Sequence, residues 1–101
     1  MDHRVLILRH FPTLLSRWQG ATVRLKELTS SHPTLRLLLQ HSNRNGYLLV
    51  ACIDPQYIEA PVTWSDAHIE IAADDGDGYF VLDTKAGVRI RTGGVEVKEF
   101  A

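Results

Sequence analysis

The sequence predicts a mainly β chain, a small antiparallel barrel or sandwich of about seven to eight short strands with one short N-terminal helix. Three observations lead there. Apolar and polar residues alternate from Val88 to Lys98 and again around Ile69 and Ile71, which is the period of two of strands with one buried face. Glycine pairs and an Asn-Gly step separate the apolar runs, as tight reversals between strands require. The longest uninterrupted apolar run, Tyr47 to Ile53, is far shorter than the ~20 residues of a membrane-spanning helix.

The N-terminal helix is expected from Pro12 to Trp18, closed by Gly20, because proline suits a first helical position and glycine the residue beyond the last. Leu14, Leu15 and Trp18 would share its buried side. Ala21 to Lys26 alternates and reads as a strand. Thr34 to His41 fits two descriptions: Leu35, Leu37 and Leu39 alternate as in a strand, whereas Leu35, Leu38 and Leu39 suit a helix capped by Ser31. The second description makes the fold α+β with a further helix at about 33–44. The strand is preferred because the Asn45-Gly46 turn then joins it to Tyr47–Ile53, a run expected to be a strand buried on both faces.

Beyond it, Asp54 to Asp66 spends thirteen residues, two of them proline, before the next alternating run. Proline confines such a stretch to an edge strand or an extended crossover. Ala72-Ala73-Asp74-Asp75-Gly76-Asp77-Gly78 then lies between two strands as a turn, with Tyr79 to Leu82 following. Gly93-Gly94 is expected to be the loop of a hairpin that sets Ile90 opposite Val97 and Arg91 opposite Glu96.

The 101 residues fit one domain that buries roughly two-thirds of its unfolded surface. With 45% apolar and 23% charged residues, the chain is globular rather than disordered. The apolar Val5 to Leu8 is cut off by Arg9 and His10, too short for a secretory leader. Cys52 is the sole cysteine, so no internal disulfide exists and a cytoplasmic location is expected. Residues 1–50 carry seven Lys/Arg against two acids, and residues 51–101 carry four against ten. Such polarity would let copies, or a charged partner, meet the chain.

Candidate chemistry is sparse. Setting Gly78 at the sixth position of a calcium-binding helix–loop–helix places Asp75 and Asp77 correctly, but Ala73 and Thr84 fall where the first and last ligands belong. The five histidines, at 3, 10, 32, 41 and 68, have no partner at zinc-ligand spacing. No metal and no cofactor is therefore assigned. Cys52 sits within Leu-Val-Ala-Cys-Ile, where burial would suppress a nucleophilic thiolate, and no nucleophile elbow or phosphate-binding glycine loop occurs. No catalytic residue is assigned.

The best candidate site is the crossover with its neighbour: Asp54, Tyr57, Glu59, Trp64 and His68, since rings on an irregular segment bring contact area with a polar tip. The leading expectation is a non-enzymatic interaction module that self-associates or binds another protein. Single-stranded nucleic-acid binding is the first alternative, with Arg24, Lys26 and Arg36 on neighbouring outward positions. The acidic second half argues against it. A small-ligand binder or enzyme with a site near residues 54–66 is the second.

Overall fold

The computed structural model of the chain describes residues 3–26 and 33–100, with the side chains of the first helix from His10 on. That helix, α1 (His3–Arg17), begins well before Pro12, which lies inside it. Proline withholds one N–H from the helical ladder, yet Phe11, Leu15 and Trp18 bury one stripe at helical spacing, with exposures of 7%, 7% and 1%. The burial of that stripe outweighs the missing bond. Gly20, with φ of +84°, turns the chain out of the helix and donates its N–H to Ala67 O.

Seven antiparallel strands follow among the described residues: β1 (Thr22–Lys26), β2 (Thr34–Gln40), β3 (Tyr47–Glu59), β4 (Thr63–Trp64), β5 (Glu70–Ala73), β6 (Tyr79–Asp83) and β7 (Val88–Phe100). They form one sheet in the order β4-β1-β2-β3-β7-β6-β5, curled into a half-barrel. Thr34–Gln40 is thus a strand and not a helix, with Leu37 opposite Val50 and both fully buried. Ser31, the cap of the alternative helix, lies outside the described residues, as do His32 and the side chain of His3. The reversal from β2 to β3 passes through Gly46 at φ of +83°, a value that glycine adopts without steric cost. No helix among the described residues is long and apolar enough to cross a membrane.

The concave side holds a single cluster in which Val23, Leu37, Leu48, Val50, Val81 and Ile90 meet Phe11 and Leu15 of α1 and Trp18 just beyond it. The two margins of the sheet are tied by the chain between β4 and β5. Asp83 Oδ2 accepts from Trp64 Nε1 and from the His68 N–H, both at 2.9 Å. Its Oδ1 accepts from Ala86 N at 3.4 Å, which caps the 3₁₀ turn Thr84–Ala86. Ala67 N donates to Ala21 O on the opposite margin.

Three expectations are corrected along the long β3–β7 ribbon. Gly93 and Gly94 are not a hairpin loop; they lie inside β7, and neither has a positive φ, which hairpin loops of two residues need. Ile90 pairs with Ile58 and Val97 with Val50, while Arg91 pairs with Tyr57 and Glu96 with Ala51. The inward residues change parity across the glycines, from Val88, Ile90 and Thr92 to Val95. The glycines therefore kink one strand where the alternation alone suggested two. A Cβ on Gly93 would meet Asp54 Cβ at 3.5 Å, and one on Gly94 would meet Ile53 Cβ at the same distance.

The crossover is shorter than expected, because β3 runs on through Glu59. Pro55 is accommodated at an irregularity: Asp54 takes a left-handed φ of 56°, and the register shifts by one between Pro55 and Tyr57, a bulge of the kind that tolerates proline within a sheet. The buried Thr92 hydroxyl lies 2.7 Å from Ile53 O and 3.2 Å from Gly94 O, and donates into the kink. Finally, the described residues cover β3 on one face only. Ile53 on the convex side is 40% exposed.

Candidate functional site

The residues expected to form one site are distributed among three places. Trp64 is 8% exposed and spends its ring N–H on Asp83, so it is a closure residue rather than a recognition surface. His68 contributes its backbone N–H to the same carboxyl, while its ring stands 3.4 Å from Asp66 Oδ1 beside the Asp66–Lys85 pair at 2.9 Å. Lys85 holds the Asp66 carboxyl below the ordinary range. Asp54 shapes the kink, its N–H donating to Pro33 O. Only Tyr57 and Glu59 stay together, joined by a 2.7 Å hydrogen bond from the Tyr57 hydroxyl, and Glu59 raises the phenol's pKa.

Tyr57 stands on the convex face of the ribbon's second half, beside Arg91 and Phe80 on the next two strands. With Arg89 they line a cleft of about 310 Å3. Its cations are already engaged. The Arg89 guanidinium lies 5.1 Å from the centre of the Phe80 ring, and Arg91 Nε donates to Asp74 Oδ2 at 3.2 Å.

Asp74 is also what holds the glycine-rich turn. Its Oδ1 accepts from Gly76 N at 2.8 Å and Gly78 N at 3.0 Å. Burial pushes its pKa up, but these donors and Arg91 outweigh burial and hold it below the usual value. A Cβ on Gly78 would stand 2.7 Å from Thr92 O, so the hairpin lies close against the kink. Cys52 faces the core, fully buried, with its thiol pushed up to about 12 by burial. Among the described residues no three His, Cys, Asp or Glu side chains gather as a metal ion requires.

A different surface stands open on the convex face of the first half, where β1, β2, β3 and β7 lie side by side. The pairing register lays it out in rows. Arg24, Leu38, Leu49 and Lys98 cross the sheet in one row, and Lys26, Arg36, Ala51 and Glu96 in the next. At one end the rings of Tyr47 and Phe100 stack with centroids 4.7 Å apart, and at the other stands Ile53. The result is an apolar strip along β3 with cations on both flanks. Ala51, the smallest side chain in the strip, leaves a cleft of about 310 Å3 bordered by Arg36, Leu49, Ile53, Glu96 and Lys98.

No ion pair among the described residues engages Arg24, Lys26, Arg36 or Lys98. Other cations of the first half are paired: Arg17 and Arg44 both hold Glu99, at 2.7 and 3.3 Å, with Arg44 also over the Trp18 ring at 4.6 Å. The sequence signal for this surface was the apolarity of β3 on both faces, which reads as full burial when no covering element can be counted. Arg24, Lys26 and Arg36 were recognisable as neighbours, but not Lys98, which arrives only because β7 crosses to the far side of β3. Compared with family models, with curated proteins and with solved structures, the chain matches none.

Proposed function

We propose that the chain is a non-enzymatic interaction module that docks another protein on the convex face of β1, β2, β3 and β7. The observation that carries this reading is the apolar strip Leu38, Leu49, Ala51 and Ile53, flanked by cations that no described carboxylate neutralises. Apolar anchors within a polar rim are the usual anatomy of an interface. The floor is aliphatic, and its two aromatic rings stack on each other, which leaves little for nucleobases to stack upon.

Site-specific photo-crosslinking tests the reading. A photoreactive residue in place of Leu49 should yield discrete protein adducts that excess unmodified chain competes away, and one in place of Phe80 should not. Equal labelling from both positions, or none that competes from Leu49, would remove the convex first half as a docking face.

A further inference from the structure

We infer that the occupant of this face is a short acidic peptide segment, laid along β3, that seats one bulky apolar side chain in the cleft over Ala51. The inference rests on the docking reading above and adds the chemistry of the partner. Size is the first ground. Strands stand ~4.8 Å apart and rise ~3.3 Å per residue, so four strands and the seven residues from Tyr47 to Ile53 span roughly 14 by 20 Å, or about 300 Å2. A standard interface takes about 800 Å2 from each partner. The face therefore suits a segment of about six extended residues rather than a folded domain.

Charge is the second ground. Arg36 and Lys98 border the cleft from opposite flanks, with Arg24 and Lys26 behind Arg36. Glu96 is the sole acid lining it among the described residues. A bound segment with carboxylates on both sides of its anchor meets a cation on either flank. Such charge-assisted contacts favour acidic over neutral sequence and reject basic sequence. The anchor is placed by Ala51, which is 8% exposed and lies lower than Leu49 and Ile53 on the same strand. A cleft of about 310 Å3 is at the small end of ligand pockets and accepts one side chain.

A nonapeptide array read with the labelled full chain tests this. The central residue is varied among Ala, Leu, Phe and Trp, and its neighbours among Asp/Glu, Asn/Gln and Lys/Arg. Binding should rise from an Ala to a Leu or Phe centre, and acidic flanks should bind about tenfold more tightly than amide flanks. Ala51→Met should fill the cleft and abolish the preference for a large centre while keeping that for acidic flanks. Arg36→Gln with Lys98→Gln should do the reverse. Because Ala51→Met could disturb folding, Ile53→Ser, at a convex residue 40% exposed, serves as a second variant expected to weaken the centre preference.

Equal binding of acidic and amide flanks would overturn the partner chemistry while leaving the docking face intact, provided the Leu49 crosslinks persist. A centre preference that survives both Ala51→Met and Ile53→Ser would overturn the seat. Saturable binding of an oligothymidylate strand with no peptide signal would overturn the inference in favour of a nucleic acid. Loss of both the array signal and the Leu49 crosslinks would remove the docking reading itself.

Discussion

The two halves of the β3–β7 ribbon share strands, core and curvature, yet treat their convex faces differently. In the second half the charges and rings are consumed internally: Arg91 by Asp74, Arg89 by Phe80, and the Tyr57 hydroxyl by Glu59. In the first half Arg36 and Lys98 stand beside half-buried apolar side chains and make no ion pair among the described residues. Closed polar contacts reduce what a surface gains by binding, because they must be broken first. Open ones next to apolar area do not carry that cost. The contrast is what separates a finished surface from one that awaits a partner.

The largest expected effect tests whether the halves stand or fall together. Asp83 ties β6 to the β4 margin through Trp64 and His68 and also caps Thr84–Ala86. Asp83→Ala leaves buried donors without an acceptor, at ~1–3 kcal/mol each, so denaturant unfolding should show a loss of roughly 4 kcal/mol. Asp83→Asn keeps one acceptor oxygen and should lose less. Amide exchange should accelerate in both halves of the ribbon. Acceleration confined to β5 and β6 would mean that the halves are separate cooperative units and that the comparison joins two independent structures.

Thr92→Val sharpens the boundary between the halves. The hydroxyl lost is the one that donates to Ile53 O or Gly94 O at the kink. The shape is nearly conserved, so the cost of about 1–2 kcal/mol reports the hydrogen bond alone. A stability unchanged by the substitution would mean that the kink is held by the glycines and the Asp54 backbone, without the hydroxyl.

This boundary is also where the sequence was least legible. Asn45-Gly46 only closes a longer loop over 41–46 between Gln40 and Tyr47, with Gly46 alone at positive φ; the periods of β1 and β2 and the Asp74 turn follow from local chemistry, and each lies where local chemistry puts it. Gly93-Gly94 does not, because a pair of glycines permits both a reversal and a kink. What chooses is the partner strand: Asp54 and the bulge before Tyr57 supply a matching irregularity, so both strands can bend and continue. Trp64 illustrates the same limit. Its aromatic ring suggested recognition, whereas its buried contact with Asp83, nineteen residues away, is visible only once the sheet has curled. The convex strip was hidden for a further reason: Leu38 and Leu49 read as core until the number of covering layers is known.

A smaller, pH-dependent effect belongs to the second half. Asp74 has its folded-state pKa held below the unfolded value of about 3.9. Its contribution is therefore full above that unfolded value and is lost as pH falls through the folded one. Between about pH 5 and pH 2 the β5–β6 hairpin should loosen before the first half does, seen as earlier exchange at Gly76 and Gly78. Asp74→Asn should flatten that acid dependence. An unchanged acid profile in the variant would show that the Arg91 and glycine contacts do not govern the hairpin.

The smallest effect on stability is the most informative about function. Leu49 and Val50 are neighbours on β3; Val50 is fully buried in the core, while Leu49 lies in the convex strip. Leu49 is half-buried, so Leu49→Thr, which keeps a residue suited to a strand, should cost about 1 kcal/mol, well below the ~2–5 kcal/mol of a core truncation. The same protein should lose the competable crosslinks when a photoreactive residue is placed at Leu38 beside it. A protein that keeps most of its stability and loses its partner has an apolar residue in place for binding. If Leu49→Thr instead destabilises as a core change does, the strip is covered within the folded chain, and the difference between the two convex faces disappears.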